Sequence, residues 1–153
     1  WYNMRAAVEY LSPDVEIVSA DAYLRRENTN NAAIAGSGVT RFNDGSTTTW
    51  NCGFESGSVI MDLRISGANG VIKLDDFLTQ NRNDNSGSFE LLEGWGNSEQ
   101  IDVPADKPGA ALMFEDFAAM TLDREWFEAS VRASERTQEW LDAAWNSAIG
   151  NAG

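Results

Sequence analysis

Histidine is absent from this chain of 153 residues, which removes both the usual protein ligand for metals and the usual acid–base group at neutral pH. Any catalysis by the segment must therefore use Tyr, Lys, Asp or Glu, or groups on another domain. Cysteine occurs once, at Cys52, so an internal disulfide framework is excluded and the redox compartment stays open. No apolar run approaches the roughly 20 residues that a membrane-spanning helix needs. Basic residues are scarce, 11 against 24 acidic ones, and the net charge is −13. Such a surface repels nucleic acid phosphates and anionic lipid, so neither is an expected partner, and its plain consequence is solubility. The first residue is Trp1, with no initiator Met and no basic-then-apolar leader. The chain thus reads as a fragment or processed product, with the cytoplasm as its expected compartment.

What is present suits one globular domain. Hydrophobic residues make up 42% and aromatics 10%, ordinary values for a chain that buries a core. From Tyr2 to Leu11, the residues Met4, Ala7, Val8 and Leu11 recur at helical spacing, and Ser12-Pro13-Asp14 ends the helix. Alternation then takes over. Val18, Ala20, Ala22 and Leu24 form one face of a strand, Thr48, Trp50, Cys52 and Phe54 another, and Val59, Met61, Leu63 and Ile65 a third. Asn43-Asp44-Gly45, Glu55-Ser56-Gly57 and Asn69-Gly70 supply short turns. Links this short join antiparallel neighbours, so about 15–74 reads as an antiparallel meander.

Thr79 to Gly87 is a polar loop, Ser88 to Glu93 a further strand, and Ile101 with Val103 part of another. Pro104 and Pro108 bracket a linker. Helices are expected over Ala111–Met120 and Glu128–Ile149, the second with Ala133, Thr137, Trp140, Leu141, Ala144 and Ala148 on one face. Strands first and helices last predict an α+β domain, a largely antiparallel sheet with helices packed on one face and no Rossmann domain.

Candidate chemistry is thin on residues alone. Gly36-Ser37-Gly38 begins a glycine fingerprint, but Arg41 stands at the third glycine and strand follows where a helix is needed, so the segment reads as a strand crossing. Counting a calcium loop from Arg82 places Asp84, Ser86, Gly87 and Glu93 at ligand positions, yet cationic Arg82 occupies the first and a solvated loop is the better reading. Asp75-Asp76 is either a carboxylate pair or a strand end with its turn. Cys52, between Trp50 and Phe54, reads as a buried structural thiol. Trp50, Trp140 and Trp145 read as core, while Trp95 and Trp126 are open to a sugar-stacking role. Tyr2 by itself is only an aromatic at a helix start.

Three stretches together resemble the second half of the Gfo/Idh/MocA oxidoreductase family. Ile65-Ser66-Gly67-Ala68-Asn69-Gly70-Val71, continuing through Asp75-Asp76-Phe77, is similar to the family's G-x-x-G hairpin and the loop bordering the substrate. Phe42-Asn43-Asp44-Gly45 is similar to its F-x-x-G hairpin, and Thr137-Gln138 followed by Leu141-Asp142 and Trp145 resembles its closing helix. Trp1-Tyr2 fits the last two positions of the family's D-x-G-x-H/Y motif. The resemblance implies that Tyr2 is the catalytic acid–base residue, and that Asp76 and Phe77 border the substrate. It leaves Arg5 either to contact substrate or to pair with a carboxylate.

It further implies that 1–153 is a carboxy-terminal substrate-binding and oligomerisation domain of an oxidoreductase acting on a sugar, polyol or related hydroxy compound. NAD or NADP would be bound mainly by an amino-terminal Rossmann domain, without which the chain would be inactive. A homo-oligomer formed through the sheet face, with Thr47, Thr49, Ile60 and Asp62 on it, is implied as well. The competing expectation is a non-catalytic carbohydrate-binding or dimerisation module.

Overall fold

The computed structural model describes residues 1–11, 14–55, 57–77 and 86–150. The chain divides into two compact units, one built from the residues up to Gly57 together with those from Arg124 onward, the other from Ser58–Asp123. The meander expected over 15–74 is thus interrupted near Gly57, and its strands belong to two antiparallel sheets.

In the first unit, helix α1 (Tyr2–Tyr10) precedes strands β1 (Ile17–Arg26), β2 (Ala33–Phe42) and β3 (Thr47–Gly53). These pair antiparallel in the order β1-β2-β3. A register shift between Ile17 and Ser19 turns Val18 out to solvent, which is why the alternation expected from Val18 holds only from Ala20 onward. The turn between β2 and β3 uses Gly45 at φ 85°, in the left-handed region that glycine enters freely. Asp44 closes that turn by accepting hydrogen bonds from the Ser46 amide at 2.9 Å and the Ser46 hydroxyl at 2.6 Å. The Ser46 hydroxyl, and then its amide, hold the Asp44 carboxyl below its ordinary value of 3.8. Asp44 therefore favours the folded turn above pH 3.8, and this contribution fades as pH falls through the lower folded value. In an NMR titration Asp44 is expected to protonate below 3.8 in native protein, and Ser46→Ala to move its midpoint upward.

The Gly36-Ser37-Gly38 segment lies inside β2, so the glycines serve packing. The Trp50 ring lies across them from β3: a Cβ at position 38 would come within 2.7 Å of Trp50 Cζ2 and 2.8 Å of the Asp21 carbonyl oxygen. Backbone cannot move aside as a side-chain tip can, so Gly38→Ala is expected to destabilise the unit by about 1–3 kcal/mol in urea denaturation.

Helix α3 (Arg124–Gly150) packs against β1, and α1 packs against it in turn. Its inward face is the one expected: Trp140, Ala144 and Ala148 are buried, and Thr137 is wholly so, its hydroxyl donating to the Ala133 carbonyl at 2.7 Å. Met4, Val8, Val15, Ala22 and Phe42 complete the core. The Phe42 and Trp140 rings meet at 4.6 Å, and the Ala22 amide donates to Ser147 Oγ at 3.2 Å.

The second unit holds β4 (Leu63–Gly67), β5 (Gly70–Leu74), β6 (Ser86–Glu93), β7 (Asn97–Pro104) and helix α2 (Gly109–Met120). The strands pair antiparallel in sequence order. Leu63, Ile65, Ile72, Leu74, Phe89 and Ile101 follow the period of two on one side, and Arg64, Lys73, Glu90 and Gln100 align on the other. The third expected strand begins later than its alternation suggested: Val59 and Ile60 are exposed and lie outside any strand, and so does Asp62. Ile60 and Asp62 are therefore not sheet-face residues, whereas Thr47 and Thr49 are exposed on β3. None of the side chains of α2 is buried. Both sheets are antiparallel, so the α+β class expected from the sequence is the one observed, with no Rossmann sheet among the described residues.

Candidate functional site

Tyr2 opens α1 with 60% of its surface exposed. Trp1, at the helix N-cap, meets it edge to face, with centroids 6.2 Å apart and planes at 89°. Arg5, one turn on, lies with its guanidinium carbon 5.8 Å from the Trp1 ring centroid. The guanidinium is paired with the Glu9 carboxylate at 2.6 Å and donates to Ser134 Oγ on α3 at 3.4 Å. Asn3 Nδ2 donates to the Asn51 carbonyl on β3 at 3.0 Å. The first turn of α1 is thereby tied to both the helix and the sheet of its unit, with Tyr2 and Trp1 left facing solvent. Arg5 thus pairs with a carboxylate on its own helix.

Asp76 and Phe77 belong to the other unit. Both are half-buried just past the end of β5, where Asp76 bridges to Met61 and the Phe77 amide donates to the Met61 carbonyl at 2.9 Å. Asp75 is exposed and pairs with Lys73 at 3.2 Å, so the adjacent aspartates sit in different surroundings at a strand end. Lys73 also reaches Glu90 across the β5–β6 pair at 3.3 Å. Hydrogen bonds to Asp75 and then Glu90 raise its pKa above the ordinary lysine value, which keeps it cationic. No local pattern reports this pairing, because strand register alone brings Lys73 opposite Glu90.

Other candidates resolve differently from their sequence readings. Cys52 is exposed, not buried, and Phe54 beside it is 91% exposed. Cys52 stands one residue before the end of β3 and Phe54 just past it. Trp145 is not a core residue: it is 43% exposed and carries the Arg26 guanidinium 4.8 Å from its centroid. Trp50 is half-buried over the β2 glycines, and Trp95, between β6 and β7, is fully exposed. Of the calcium-loop positions, Arg82 and Asp84 lie outside the described residues, while Ser86 and Gly87 form the start of β6. An open groove of about 990 Å³ in the first unit is lined by residues of α1, the 14–17 segment and α3, among them Glu9, Arg132 and Trp140, but not Tyr2. No described helix is long and apolar enough to cross a membrane.

No family model matches the chain, and no curated protein does. Solved structures match it over most of its length. A 3-ketoreductase from Actinomadura kijaniata in complex with TDP-benzene and NADP is 24% identical with a TM-score of 0.71, over 90% of this chain and 43% of that one. A UDP-N-acetylglucosamine 3-dehydrogenase from Acidithiobacillus ferrooxidans is 15% identical with a TM-score of 0.70, over 94% of this chain and 44% of that one. These are Gfo/Idh/MocA-type oxidoreductases, and the chain has the fold of a part of them, as the resemblance in its sequence implied. The chain spans less than half the length of the structures it matches.

Proposed function

We propose that the chain is the substrate-binding and oligomerisation domain of an NAD(P)-dependent oxidoreductase that acts on a sugar, polyol or related hydroxy compound. The observation that carries this reading is the fold shared, over 90% or more of the chain, with a 3-ketoreductase solved with NADP and with a UDP-N-acetylglucosamine 3-dehydrogenase. Those two proteins make a sugar attached to a nucleoside diphosphate the first substrate to try.

The glycine pair of β2 lies against the Trp50 ring, which supports reading it as a packing feature and not a dinucleotide cradle. NAD or NADP is accordingly assigned mainly to a nucleotide-binding domain outside this chain, and its chemistry when bound is hydride exchange with a substrate carbon. The part assigned to this chain is the proton. Tyr2 exchanges it with the substrate oxygen, a role in which a phenol is helped by a cationic neighbour that stabilises its anion. That neighbour is assigned to the other domain, since Arg5 is engaged by Glu9 and Ser134. Asp76 and Phe77 are proposed to border the substrate, and the exposed side of β3 carrying Thr47 and Thr49 to meet a second copy.

The test is nicotinamide reduction by the natural gene product with NAD or NADP and a panel of nucleotide sugars, free sugars and polyols. Turnover of one class establishes the oxidoreductase and its substrate. Sugar binding without turnover on any of them replaces it with a carbohydrate-binding module, for which the exposed Trp95 is the natural contact.

A further inference from the structure

We propose that Asn69 is a site of spontaneous covalent modification, where its side-chain amide is lost and the chain is rerouted through the side chain. Asn69 alone among the asparagines is followed by glycine. It stands with Ala68 in the turn between β4 and β5, just beyond the pair Gly67 and Gly70 that ends the ladder.

The nucleophile is supplied by the chain itself. The Gly70 amide nitrogen gives up its proton and attacks Asn69 Cγ, the Cγ–Nδ2 bond breaks, and ammonia leaves as a cyclic succinimide closes. Water then opens the ring. Attack at Cγ yields aspartate, whereas attack at the main-chain carbonyl yields isoaspartate, whose backbone is one carbon longer. Solvent is the only co-reactant.

Three observations single out this turn. A Cβ at position 70 would lie 2.6 Å from the Leu92 carbonyl oxygen on β6, so packing keeps glycine there and leaves its nitrogen unhindered. Gly70 is also the terminal rung of its pairing, where strands open first. Finally, among the described residues nothing bonds the Asn69 side chain. Asn43 accepts from the Glu16 amide at 3.1 Å, Asn30 from the Ala32 amide at 2.8 Å, and Asn3 donates to the Asn51 carbonyl at 3.0 Å. Asp44, which also precedes a glycine, is engaged by Ser46 at 2.9 and 2.6 Å. The change at Asn69 adds a negative charge to a chain already at −13, and lengthens the turn that leads through β5 to Asp76 and Phe77.

The natural gene product is incubated folded, in mildly alkaline buffer made with heavy-oxygen water, beside a sample unfolded in urea. Trypsin, cutting after Arg64 and Lys73, releases the peptide 65–73 for mass spectrometry. In the folded protein this peptide is expected to gain the mass of an amide-to-acid exchange with one heavy oxygen, and to separate into aspartyl and isoaspartyl forms. The other asparagine peptides should keep their amides over the same time, and the intact protein should shift to a lower isoelectric point. Asn69→Gln should abolish the shift, because the longer side chain must close a larger ring. Retention of the amide in folded protein while the unfolded sample converts overturns the proposal, since the last rung then shields the turn. Earlier conversion of another asparagine peptide overturns it too.

Discussion

Trp140→Ala is expected to lower the unfolding free energy of the protein by about 3–5 kcal/mol, the range for truncating a buried aromatic. Only 3% of Trp140 is exposed, and its ring partners come from β2 and from the preceding turn of α3. Phe42, at the end of β2, meets it at 4.6 Å with the planes tilted by 41°. Arg136, one turn earlier on α3, lies 5.0 Å from its centroid and donates to the Val15 carbonyl. Removing the indole opens a cavity under Phe42 and takes away the surface that Arg136 lies on. Smaller neighbours such as Ala144 cannot fill the space.

Trp140→Phe should cost clearly less, since it keeps part of the ring volume. A double-mutant cycle with Phe42→Ala should return about 0.5–1.5 kcal/mol of coupling between the two rings. Urea denaturation with an unchanged slope is the measurement. A loss below ~1 kcal/mol would mean that α3 does not anchor this unit through Trp140.

The same residues explain how far the sequence could be read. The face of α3 was legible because a long helix repeats its period many times, so Thr137, Trp140, Ala144 and Ala148 mark the core together. The hairpin at Asn43-Asp44-Gly45 was legible because its chemistry is local, with Asp44 and Ser46 two residues apart. Strand faces were less so. One irregular residue near Val18 and the late start of β4 after Asp62 each undid an alternation that looked regular in sequence.

Cys52 and Phe54 failed for another reason. Alternation tells which side of a strand a residue is on, but not whether anything covers that side so near its end. The packing role of Gly36 and Gly38 rests on Trp50 crossing them from β3, which no local pattern reports. At the candidate site, Tyr2 came only from resemblance. Its surroundings of Trp1, Arg5, Glu9 and Ser134 join residues up to 129 positions apart, which no local pattern reports.

Tyr2→Phe is expected to reduce kcat of the natural gene product by about 10²–10⁴-fold, the usual contribution of a positioned acid–base group. The substitution removes one oxygen and leaves the ring that meets Trp1 at 6.2 Å, so the first turn of α1 keeps its contacts. Tyr2 is 60% exposed and takes no part in the buried core, so stability should change by less than about 0.5 kcal/mol. NAD or NADP binding should be retained, since the proposed role of Tyr2 is toward the substrate oxygen and not the cofactor. Substrate KM should shift little, since the phenol acts on a proton in flight. Loss of turnover with cofactor and substrate binding preserved assigns the proton to Tyr2. Turnover equal to wild type removes Tyr2 from the chemistry, and the acid–base group must then be sought among Asp76, Lys73 or residues of the nucleotide-binding domain.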